Sequence, residues 1–155
     1  MNSSKYWLLI LFMVALGCAG QEPTAPIFDE NADAHRDISA AVADAEVSKR
    51  NIVLVFGANW CGDCRALHAQ MHKPELETII ERNFVVVQIN MGRWDKNKDL
   101  AEKYHVPLQR GIPALAVLDS QGDLLYAMEK GEFANARRMS FDSIKDFFVK
   151  WGPKR

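Results

Sequence analysis

The sequence has little that would commit it to nucleic acid, to a membrane span or to a clustered metal. Its 155 residues carry a formal net charge of -1, so no basic surplus speaks for a polynucleotide partner. The longest uncharged, mostly apolar stretch at the N-terminus, Tyr6 to Gly17, falls well short of the ~20 residues that a transmembrane helix needs. There are three cysteines and a single C-x-x-C, whereas a structural zinc site usually draws on four ligands. Repeats and low-complexity tracts are missing. With 48% hydrophobic and 25% charged residues, what remains is enough to bury the core of one ordinary domain.

Lys5 followed by the apolar stretch reads as a secretory signal over residues 1–17. Its end, Val14-Ala15-Leu16-Gly17-Cys18, looks like a bacterial lipobox, in which cleavage before Cys18 leaves a thiol to be lipidated. Ala15 departs from the usual leucine there and also suits an ordinary Ala-x-Gly processing site; an uncleaved anchor is the plainest alternative. Residues 18–31, with two prolines and no periodicity, read as a tether, which leaves 32–155 as the folded domain. The expectation is an exported, periplasmic protein held on a membrane through a lipid on Cys18.

The chemistry centres on Trp60-Cys61-Gly62-Asp63-Cys64. Before it, Ile52-Val53-Leu54-Val55-Phe56 is a β-branched and aromatic run that reads as a buried strand; after it, Arg65 to Met71 is built of helix formers. That places the pair at a helix N-terminus, where free backbone N–H groups and the dipole favour a thiolate and put the second cysteine within disulfide reach. A merely structural disulfide is the bland reading of the same pair.

Elsewhere, Asp33 to Lys49 carries apolar residues at the spacing of an amphipathic helix. Pro74 predicts a kink or a break before Glu75 to Arg82. Phe84 to Asn90 reads as a strand, Lys98 to Tyr104 as a helix, Ala114 to Asp119 and Leu124 to Met128 as strands joined by a turn at Ser120–Asp123, and Phe141 to Trp151 as a helix capped by Ser140. The order α-β-α-β-α-β-β-α predicts an α/β protein with a central mixed sheet of about four strands flanked by helices.

In its WCGDC after a hydrophobic strand, and in Gly111-Ile112-Pro113 before a later strand, the chain resembles the thioredoxin-like superfamily over about residues 33 to 151. Its longer loops look closer to the periplasmic, DsbD C-terminal-domain-like branch. The resemblance implies a thioredoxin fold, a cis bond at Pro113 that sets the Ile112 backbone beside the sulfurs to pair with a substrate chain, and no cofactor. It also exposes a departure: the family's buried acid, six residues before the first cysteine, is here Val55, and the neighbouring strand offers Gln88 rather than lysine. The usual proton relay to Cys64 is therefore missing.

The reading is a thiol–disulfide oxidoreductase in which Cys61 attacks and Cys64 resolves, Trp60, Ile112 and Pro113 meet protein substrates bearing disulfides or thiols, and Gly62 and Asp63 tune the couple. At an assumed ~7 Å from Cys61 the Asp63 carboxylate opposes a thiolate by about 0.6 to 2.4 kcal/mol, depending on the dielectric, and so favours the reductase or isomerase direction; pointing into solvent, it is screened to the lower figure or less. A second, unidentified redox partner is required to reset the pair. One alternative is a dedicated reductant in cytochrome c maturation. The other is a metal-binding or metallochaperone module using Cys61, Cys64 and His68, with His72 on the same helix face. Trp60 also reads as a packing residue, Pro113 as an ordinary turn proline, and His68, His72, Arg93, Trp94 and the run Phe133 to Arg138 as solvated surface.

Overall fold

The computed structural model describes residues 26–154; the signal over 1–17, Cys18 and most of the tether lie outside them. The elements run α1 (Ala34–Ser48), β1 (Asn51–Gly57), α2 (Gly62–Met71), α3 (Pro74–Asn83), β2 (Phe84–Asn90), α4 (Lys98–Lys103), β3 (Ala114–Leu118), β4 (Leu124–Ala127) and α5 (Phe141–Trp151). The expected order holds, with the predicted interruption at Pro74 resolved into two helices. Pro74 opens the second of them, where its missing N–H costs nothing. Among the described residues no helix is long and apolar enough to cross a membrane.

The four strands form one mixed sheet in the order β2-β1-β3-β4, with β1 parallel to β2 and antiparallel to β3. Every residue of β1 is buried, so its near-continuous apolar run reports a strand covered on both faces. Local signals set the helix ends. Asp33 caps α1 by accepting from the Arg36 N–H at 3.1 Å, Lys49 closes it in the left-handed conformation, and Ser140 caps α5 by accepting from Ser143 N–H at 3.1 Å. Phe84 and Phe148 meet edge-on at 5.5 Å and tie β2 to α5.

Two segments differ from the expectation. The fold does not begin at residue 32: Phe28, assigned to the tether, is buried in the core. The Asn59 side chain accepts from Phe28 N–H at 3.0 Å and donates to Phe28 C=O at 2.8 Å. Burying a phenylalanine contributes about 2–3 kcal/mol, which with the two hydrogen bonds of the clasp works against the entropy cost of ordering the flanking residues. The run Phe133 to Arg138, read as solvated loop, belongs to a 3-10 helix over Glu132–Arg138 that is kinked at Asn135. Phe133 and Ala136 point into the core, and the Phe133 ring meets Phe147 at 4.9 Å.

Candidate active site

β1 ends at Gly57, and four residues later Cys61 caps α2, its Sγ accepting from Cys64 N–H at 3.1 Å. The two cysteines are joined as a disulfide with their Cα atoms 5.2 Å apart. This is the strand-to-helix junction the sequence predicts, and it aims the free N–H groups of the helix at a sulfur. Cys61 is 5% exposed and Cys64 2%, so both are covered while bonded, and position along the helix alone does not separate them. The difference lies in what covers each.

Beside Cys61 stands the loop Gly111-Ile112-Pro113. The Ile112–Pro113 bond is cis, and the Ile112 carbonyl oxygen lies 3.5 Å from Cys61 Sγ. In the disulfide that sulfur has no hydrogen to donate, so this is a close approach; after reduction the thiol gains one. Gly111 holds φ 102°, and a Cβ there would lie 3.0 Å from Ala134 Cβ, so a side chain is excluded by both conformation and space.

Trp60 is packed at one edge and open at the other. Its Nε1 donates to the Gly92 carbonyl at 2.8 Å and its ring meets Trp94 at 6.1 Å, yet it remains 50% exposed beside Cys61. The loop carrying Gly92 and Trp94 is tied down in turn: Asn90 Oδ1 accepts from Gly92 N–H at 2.9 Å, Asn97 donates to Asn90 C=O at 2.8 Å, and Lys96 donates to Glu30 C=O at 2.8 Å. Arg93 and Trp94 thus belong to an anchored rim.

Asp63 has a cationic partner that the sequence reading did not include. Its Oδ1 accepts from Arg137 N–H at 2.9 Å and its Oδ2 from Arg137 Nη2 at 3.1 Å. The Arg137 guanidinium holds the Asp63 carboxyl below the usual carboxylate range; partial burial opposes this, and Arg138 adds a weaker pull downward. A Cβ on Gly62 would lie 3.5 Å from the same guanidinium. The repulsion expected between Asp63 and a Cys61 thiolate is therefore offset by a cation of equal charge a few ångströms away. Arg137 was missed because its partner stands 74 positions earlier in the chain; the only signal was a pair of arginines inside a run with an apolar anchor.

Behind Cys64 the surroundings are apolar. A Cβ on Gly57 would collide with the Phe28 ring and lie 3.0 Å from Cys64 Sγ, so ring and sulfur both pack against this glycine. Val55, two residues back on the same face of β1, is flanked in register by Gln88 and Leu115. No carboxylate stands at the expected position, and Gln88 Oε1 is buried without a hydrogen-bond partner. Phe28 carried a faint sequence signal, the apolar pair Ile27-Phe28 within a polar stretch.

His68 does not join the cysteines. Its ring meets that of His72 at 4.0 Å with the planes tilted by 48°, and His72 Nδ1 lies 2.8 Å from the His68 carbonyl oxygen. Burial, and then His72, push the His68 pKa down, which favours the neutral ring. Among the described residues no group of three or more His, Cys, Asp or Glu side chains is placed to hold a metal ion, so the structure does not gather Cys61, Cys64 and His68 into the proposed metal site.

A family model described as thioredoxin-like matches residues 33–120. The solved structure of a disulphide isomerase from Xylella fastidiosa Temecula1 is 41% identical, with a TM-score of 0.79 over 83% of this chain and 98% of that one. The oxidised DsbD C-terminal domain of Neisseria meningitidis, 22% identical with a TM-score of 0.53 over 77% of this chain and 97% of the other, shares the fold. The chloroplastic thioredoxin-like protein HCF164 of Arabidopsis thaliana is 30% identical over 91 residues, 57% of this chain and 33% of its own length. The chain thus spans about a third of that curated relative.

Proposed function

The chain belongs to the thioredoxin-like family, and on that premise we propose that it is a thiol–disulfide oxidoreductase acting on exported proteins, in the isomerase or reductase direction. The observation that carries this reading is the Cys61–Cys64 disulfide at the N-terminus of α2 with the Ile112 carbonyl 3.5 Å from Cys61 Sγ. In the reduced protein, a Cys61 thiolate attacks a substrate disulfide sulfur; the S–S bond breaks, the leaving sulfur takes the electron pair, and a mixed disulfide forms. The Ile112 peptide offers its carbonyl to an extended substrate chain, and Trp60 provides a half-exposed aromatic surface beside it. Cys64 then attacks Cys61 Sγ and releases the substrate thiol, which regenerates the disulfide of this structure.

The isomerase direction is supported by 41% identity to the Xylella protein of that name. It is also consistent with the apolar backing of Cys64. A resolving thiol without a nearby base ionises slowly, and a long-lived mixed disulfide gives substrate cysteines time to rearrange. Export and a lipid on Cys18 rest on Lys5, the apolar stretch and Gly17-Cys18. Mass spectrometry of the protein from its membrane fraction should find acyl chains on the residue that becomes the N-terminus, and Cys18→Ser should lose them; a wild-type protein free of lipid overturns the anchor. For the chemistry, Cys64→Ser should accumulate mixed disulfides in the native host and Cys61→Ser should not. Equal trapping by the two variants would reject the assignment of Cys61 as attacker.

A further inference from the structure

The 132–138 segment lies across the front of the site. Phe133 roots it in the core, with its N–H donating to Met128 Sδ at 3.4 Å, and Ala134 approaches Gly111 in the loop that holds Pro113. At its far end Arg137 grips Asp63 through both backbone and guanidinium, with the guanidinium against Gly62. The Asp63 side chain is only 14% exposed, so water screens its charge poorly; Arg137, at 67%, keeps most of its surface in solvent. A largely covered aspartate between two redox cysteines must influence the sulfurs unless something neutralises it.

We infer that Arg137 is a positioning residue that sets the redox poise of the Cys61–Cys64 pair by neutralising Asp63 from across the 132–138 segment. This rests on the dithiol reading above and extends it to a residue outside the motif. The other charges facing the site do not substitute for it. Arg65 of α2 is engaged with the Asn59 carbonyl at 2.9 Å, the 111–113 loop carries no ionisable side chain, and Arg138 acts on Asp63 only through space. Arg93 and Asp95 sit on the opposite rim, where Asp95 accepts from Arg93 N–H at 2.8 Å.

The test is equilibration with glutathione of wild type, Arg137→Gln, Asp63→Asn, the double variant and Arg137→Lys. Two glutathione thiols become one glutathione disulfide while the Cys61–Cys64 bond takes up two electrons and two protons. Unmasking Asp63 in Arg137→Gln should raise the Cys61 pKa and move the equilibrium about three- to tenfold toward the protein disulfide, about 15 to 30 mV more reducing. Asp63→Asn leaves the cation alone and should move it the other way. The double variant should return to within about twofold of wild type, as should Arg137→Lys, which keeps the charge. A purely structural clip predicts that both single variants and the double shift together; that result, no shift in Arg137→Gln, or a lysine variant behaving like the glutamine one, overturns the inference. Because glutathione reads the cysteine pair directly, failure to process any protein client would count against the function proposed above and leave this measurement intact.

Discussion

The two sulfurs of one disulfide, less than a helical turn apart, sit in opposite kinds of environment. In front of Cys61 lie a peptide carbonyl, a half-exposed tryptophan and an ion pair; behind Cys64 lie a phenylalanine ring and a glycine. Their exposures, 5% and 2%, hardly differ, so a surface calculation would treat them alike. On the proposed reading, what separates an attacking Cys61 from a resolving Cys64 is the chemistry around the sulfurs rather than their depth. A charge-bearing, water-facing rim stabilises a thiolate, and an apolar wall destabilises one.

The strongest way to break the contrast is to remove the wall. Phe28→Ala should cost about 3–5 kcal/mol in urea unfolding, the usual range for a buried phenylalanine, and should open Cys64 to reagents. A loss below about 1 kcal/mol would mean that Phe28 is only loosely seated. In the reduced wild type, iodoacetamide should modify Cys61 about a hundredfold faster than Cys64, and Phe28→Ala should narrow that gap. Equal rates in the wild type would erase the contrast. Gly57→Ala inserts a methyl group between ring and sulfur and should destabilise by about 1–3 kcal/mol, read by the same unfolding experiment; a neutral result would show that the ring can swing away.

The smallest expected effect sharpens the other side. Asp63 has its folded pKa lowered by Arg137, so the pair contributes stability above the ordinary carboxylate value of 3.8 and loses it as pH falls through the lower folded value. The stability difference between wild type and Arg137→Gln should therefore be constant from about pH 5 to 8 and close below about pH 4. A difference that persists at pH 2.5 would point to packing rather than charge. His68 acts in the same direction at higher pH: its folded pKa is depressed, so stability should fall as pH drops below its ordinary value of 6.5.

Much of the scaffold was legible because it rests on local patterns. The apolar run at 52–56, the cap Ser140 and the break at Pro74 each act within a few residues, and each stands where the sequence predicts. The C-x-x-C at a strand–helix junction is equally local. The extent of the fold was less legible: a single apolar pair in a proline-containing stretch has no periodicity to announce a core position, and the Asn59 side chain that clasps the Phe28 backbone stands 31 residues later.

By itself the sequence determined the sheet order's ingredients, the redox pair and its place at a helix N-terminus, because hydrophobic periodicity, capping and cysteine spacing are short-range facts about the chain. Only the tertiary structure decided that Asp63 is neutralised, that Cys64 is walled by Phe28, and that His68 turns to His72 rather than to the cysteines. The physical reason is range. A charge's effect on a thiolate depends on distances of a few ångströms to groups that can be 74 positions away in the chain, and those distances exist only once the 132–138 segment has packed its phenylalanine into the core.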